Sequence, residues 1–103
     1  MGARLILDRH VVETLMPDLV GHDHQPSAFI VYLYLWSQAR GRGERRATAS
    51  LQRIASDTGL SKSAVQYALR TLRRRRLVTS RQAYATSVPT HVLHTPWVRP
   101  ARA

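Results

Sequence analysis

The sequence predicts one small, mainly α-helical domain closed by a β-hairpin. Three observations carry that prediction. Two short stretches of helical apolar spacing, Leu51 to Thr58 and about Lys62 to Arg75, are separated only by a turn containing Gly59. Two strand-like runs, "LVTSR" and "HVLHT", follow with a turn-rich loop between them. The 103 residues, 44% of them hydrophobic, suffice for one core and no more.

Each element has its own reason. "RLILD" reads as a short strand. In "RHVVETLMPDLV", Val11, Val12, Leu15, Met16 and Leu19 fall at helical spacing, and Pro17 is expected to end or kink that helix. "GHDHQP" is a polar turn, after which Ser27, with Pro26 just ahead, is expected to cap a helix. "SAFIVYLYLWSQA" holds residues that favour strands. Its length, its cap and the stop at Gly41 favour a helix. A helix apolar all round must be buried on most sides, against the core and against the N-terminal helix or a second subunit.

"RGRGERR" reads as a Gly-rich basic loop, and "ATAS" leaves room for a very short strand. Ser50 is an N-cap for the helix to Thr58, which turns Leu51, Ile54, Ala55 and Thr58 inward. Gly59 ends that helix in a left-handed turn, and Ser61 caps the next one. Val65, Ala68, Leu69 and Leu72 make its inward stripe. The opposite stripe holds Ser63, Tyr67, Arg70 and Arg74, flanked by Gln66 and Arg73. The hairpin occupies about 77–95. "PWVRPARA", 96–103, is expected to be a basic, Pro-spaced tail, and 1–25 an extension of a single domain spanning 1–95.

Charge placement points to a partner. The net charge is +10, and the segment from Arg40 to Arg81 holds 12 of the 16 basic residues but only 2 of the 6 acidic ones. The rest of the chain is neutral on balance. A field this concentrated suits a polyanion and speeds encounter with it.

Other chemistries lack their residues. With no cysteine there is no disulfide, thiolate nucleophile or thiolate metal site. His22 and His24 lie in a turn, and His91 and His94 would face opposite sides of a strand, so no metal is expected. The acidic residues are scattered, there is no Gly-rich phosphate loop, and no enzyme, cofactor or small-molecule ligand is expected. The longest apolar run, Ala28 to Trp36, is too short to span a membrane. A cytoplasmic, nucleoid-associated protein is the expectation.

A helix, a Gly turn and a second helix fit the helix-turn-helix plan. "LQRIASDTGLSKSAVQYALRTLRRRRLV" resembles the winged helix-turn-helix DNA-binding domains of prokaryotic transcription regulators, in its "IA", "TGLS", "V", "AL", "L" and closing "LV". These domains often carry Gly just before that "LV", where this chain has Arg76. The resemblance implies a second helix in the major groove, with Lys62, Ser63, Gln66, Tyr67 and Arg70 as candidate base readers. Ser50, Arg53, Arg73, Arg74 and Arg81 are candidate phosphate contacts, with Arg45 and Arg46 on the preceding loop. Arg75 and Arg42 join this group on position alone. The resemblance also implies double-stranded DNA as partner, and the small size and over-apolar first helix favour a homodimer. The alternatives are a phage or plasmid replication or partition factor, and a winged-helix protein-interaction module.

Overall fold

The structure, a computed structural model, describes residues 4–40 and 45–98. Arg42 and the expected stop at Gly41 lie outside the described residues, as do 99–103 of the expected tail. Helix α1 (Pro26–Gln38) is central. It packs against α2 (Leu51–Thr58), α3 (Lys62–Arg74), strand β1 (Arg45–Thr48) and the N-terminal helical segment. Strands β2 (Val78–Arg81) and β3 (Thr90–Leu93) form the hairpin. Strand β1 adds to the free edge of β3, so the antiparallel sheet runs β1-β3-β2.

The core explains the apolar excess of α1. Ala28, Val31, Tyr32, Leu35 and Trp36 are buried on it, and they meet Ile54 of α2 and Val65, Leu69 and Leu72 of α3 in one cluster. Each fully buried Val, Leu or Ile among them contributes about 1.5–3 kcal/mol of transfer free energy. The expected cap at Ser27 is corrected. Gln25 is the N-cap, without a side-chain bond, and Pro26 takes the first helical position, where its missing N–H costs nothing.

Three other expectations change. "RLILD" has no regular secondary structure and joins no sheet; the Ile6 carbonyl instead accepts a bond from Trp36 Nε1 at 2.8 Å. The N-terminal segment is helical but is wound as a π-helix in two stretches, Val11–Leu15 and Pro17–His22, joined at Met16. Helical backbone runs on through Pro17, so the proline does not end the helix as expected; it falls where the second π-helical stretch begins. The expected basic loop is partly strand: Arg45 and Arg46 open β1, because pairing to β3 satisfies their backbone groups.

The helix-turn-helix itself follows the sequence closely. Ser50 Oγ accepts from the Arg53 amide, and Ser61 Oγ from the Ala64 amide, both at 3.1 Å. Gly59 is left-handed at φ +83° and closes α2 onto the Ala55 carbonyl. The start of the C-terminal stretch is anchored: Trp97 stacks on His10 at 4.4 Å between ring centroids and donates to Asp8 at 3.1 Å. Indole and imidazole planes bury apolar area there without leaving the N–H unpaired.

Candidate nucleic-acid interface

Helix α3 presents two faces with different chemistry. Val65, Ala68, Leu69 and Leu72 are buried. Lys62, Ser63, Gln66, Tyr67, Arg70, Arg73 and Arg74 are all exposed. Tyr67 is 53% exposed although it is the largest apolar surface on the helix, and the Arg70 guanidinium lies 5.9 Å from its ring centroid. The five expected base readers therefore share one solvent-facing stripe, beginning at the free amides of the Ser61 cap.

The wing is tied to this helix by a hydrogen-bond chain. Arg73 Nη1 donates to Ser80 Oγ at 3.0 Å, and Ser80 lies 2.8 Å from His91 Nδ1. His91 Nε2 lies 3.2 Å from the Ala49 carbonyl, which can only accept. Nε2 therefore carries the proton, Nδ1 accepts, and the Ser80 hydroxyl donates to it. Burial holds His91 below the ordinary imidazole pKa; the Arg73 charge acts the same way, and the bond to Ala49 opposes both. The imidazole stays neutral, and the chain is satisfied from end to end. Between α3 and the wing lies a cleft of about 300 Å³ whose lining includes Gln66, Arg70, Arg73, Ser80 and Gln82.

The remaining candidates divide by position. Arg53 donates to Asp57 at 2.9 Å, and Asp57 also accepts from Tyr34 at 2.6 Å. These bonds, Tyr34's foremost, hold the Asp57 pKa below the usual carboxylate range. Arg53 stays exposed beside the N-terminus of α2, where Ser50 is half-buried and already engaged as the cap. The Arg45 guanidinium carbon lies over Trp36, 4.1 Å from the ring centroid, so its charge is placed by a cation–π contact and not by a loop. Arg46 and Arg81 stand on the other face of the sheet, as the register shows.

Arg75 is corrected. It faces the N-terminal segment, 3.1 Å from Asp23 and 3.7 Å from Asp18, and not the groove side of α3. Arg76 has φ +58°, the left-handed conformation that glycine adopts more freely. The Leu77 amide bonds the Leu72 carbonyl at 2.8 Å and the Arg76 amide bonds the Arg73 carbonyl at 3.0 Å. This is a complete Schellman cap with arginine in the glycine position.

Sequence reasoning missed Ser80, Gln82 and His91 at the helix–wing junction. Alternation along β2 could have placed Ser80 with buried Val78, but nothing in the sequence sets the distance to Arg73. His91 and His94 do point to opposite faces: His94 pairs with Thr79 at 2.6 Å on the outer side. Among the described residues, no group of three or more His, Cys, Asp or Glu could hold a metal ion, and no helix is long and apolar enough to cross a membrane.

Two helices joined by a glycine turn, an exposed polar second helix and an antiparallel wing define a winged helix-turn-helix protein. Residues 25–78 match the helix-turn-helix domain family, and the chain belongs to it. No curated protein and no solved structure matches the chain significantly. The matched span runs from the Gln25 cap through α3 to the first residue of β2, so the family covers the core and the candidate reading helix. Membership makes DNA the supported partner, and domains of this kind are typically not enzymes.

Proposed function

We propose that this protein is a sequence-specific duplex-DNA-binding regulator of transcription, of prokaryotic type, that works on nucleoid DNA inside the cell. It acts as one domain over 1–95, with a basic stretch beyond. The observation that carries the reading is the outward stripe of α3. Gln66 can pair bidentately with adenine, Arg70 and Lys62 can reach guanine acceptors, Ser63 can donate or accept, and Tyr67 can meet a thymine methyl. Arg53, Arg73 and Arg74 flank that stripe and would fix register on the phosphates. The Ser80–His91 chain holds Arg73 against the wing, so its placement is largely organised before DNA arrives.

The same reading includes a homodimer. Val12, Met16 and Val20 of the N-terminal segment are 44%, 39% and 37% exposed at four-residue intervals, and Ile30 of α1 is exposed as well. Four of the chain's six acidic residues lie in residues 8–23. A contact through this segment keeps the basic surfaces of the two copies apart, and its exposed apolar side chains supply the patch for a two-fold interface.

Titration of isotope-labelled protein with a duplex, followed by amide NMR, tests the site. The expected shifts cluster on Ser61 to Arg74 and on the wing strands, leaving Val11 to His22 quiet at constant protein concentration. Shifts confined to the N-terminal segment would overturn the proposal and favour a protein-interaction module.

A further inference from the structure

We infer that the outer face of the sheet is a second phosphate-binding surface, separate from the recognition helix and built around Arg40 and Arg46. The two residues are locked side by side: each backbone amide bonds the other's carbonyl, at 2.8 and 3.0 Å. Their side chains line a cleft of about 320 Å³ together with Thr48 and Thr90. The two threonine hydroxyls lie 2.9 Å apart. Arg40 Nη1 donates to the Ala39 carbonyl at 3.0 Å, and one threonine hydroxyl donates to the other. The remaining guanidinium donors and the one hydroxyl proton not used in that pair are groups that a phosphodiester oxygen can accept from.

The register separates this surface from the one already described. Thr48 pairs with Thr90, and Thr90 pairs with Arg81, so these side chains share a face with Arg46. Ser80 and His91 pair on the opposite face, the one bonded to Arg73 of α3. The inner face is packed on the core through Ala47, Val78, His91 and Leu93, so the outer face addresses a stretch of backbone other than the one seated on α3. That stretch comes either from the same duplex, continuing past the wing, or from a second duplex held alongside. The chemistry is the same in both.

The site does not depend on base reading, and the test keeps the two apart. Arg40→Gln/Arg46→Gln is compared with Arg4→Gln/Arg9→Gln, which removes the same charge from exposed positions elsewhere. Both are measured for binding to a short and a long duplex between 50 and 200 mM salt. Each phosphate contact adds about 0.9 to the slope of log K against log salt. Losing two contacts makes the affinity fall about 12-fold less across that range. The sheet variant is expected to show this loss and the control is not. Loss on the long duplex alone assigns the contact to the same molecule. Loss of capture of a free labelled duplex by an immobilised one assigns it to a second. Adding Gln66→Ala/Arg70→Ala should leave the difference between sheet variant and control intact, even if base reading is abolished or proves absent. If the two charge variants behave alike on every duplex, the proposal is overturned.

Discussion

At the scale of single residues, Arg76 is the clearest departure from a comfortable backbone. A side chain at φ +58° carries a left-handed penalty of about 1–2 kcal/mol that glycine avoids. Arg76→Gly is expected to stabilise the fold by about 1 kcal/mol. That raises the thermal midpoint by about 4–8 °C in a domain of this size. Calorimetry checks it; an unchanged or lower midpoint would show that the Arg76 side chain contributes more than the strain removes. The sequence disclosed the unusual residue, because "RRRRLV" lacks the expected glycine, but the completed Schellman cap is visible only in the backbone bonds. His91 makes a second prediction. Its pKa is lowered by folding, so the neutral form is favoured in the native state. Its contribution is full above the unfolded imidazole value of about 6.5 and is lost as pH falls below it toward the folded value. The midpoint should drop between pH 7 and pH 5, and the drop should shrink in His91→Gln. An equal drop in that variant would remove His91 from the explanation.

At the scale of elements, α2 and α3 were legible because caps and periodicity agree. Ser50, Gly59 and Ser61 each do what their chemistry dictates locally, and the inward stripes follow from the 3.6-residue period. The N-terminal segment was legible only as apolar spacing. Its five-residue hydrogen-bond step, for example Asp23 to the Asp18 carbonyl at 2.8 Å, leaves no mark in residue preference. Strand β1 was misplaced toward "ATAS" because its partner β3 lies more than forty residues away, and local reading does not see pairing at that separation. The ion pair from Arg75 to Asp23 and Asp18 joins the N-terminal segment to the end of α3. Its partners are partly exposed, so Asp23→Asn is expected to cost no more than about 1 kcal/mol, and high salt should erase most of the difference. Thermal unfolding at low and high ionic strength measures it. A loss unaffected by salt would mean that Asp23 acts through its hydrogen bond to His22 instead.

At the scale of the whole molecule, charge is unevenly placed: 12 of the 16 basic residues lie between Arg40 and Arg81, and four of the six acidic ones in residues 8–23. Lys62, Arg70, Arg73 and Arg74 lie on α3, Arg53 on α2, and Arg46 and Arg81 on the outer sheet, while the acidic, partly apolar N-terminal segment meets the basic residues through Arg75. The uneven placement was legible in the sequence. Which arginines face which surface was not, because the run of four crosses the end of α3: Arg73 turns to Ser80, Arg75 at the cap to Asp23, and Arg76 is left-handed. Sedimentation at micromolar concentration should show a dimer, and Met16→Glu should give a monomer that keeps its fold by circular dichroism. A wild-type monomer there would remove the dimer from the account. The central claim, that α3 reads DNA sequence, is tested most directly by selection from random duplex DNA at about 150 mM salt. The account predicts a sharp enriched motif, an inverted repeat with half-sites about one helical turn apart. Binding without enrichment would contradict it, and would leave a protein that grips the phosphate backbone alone.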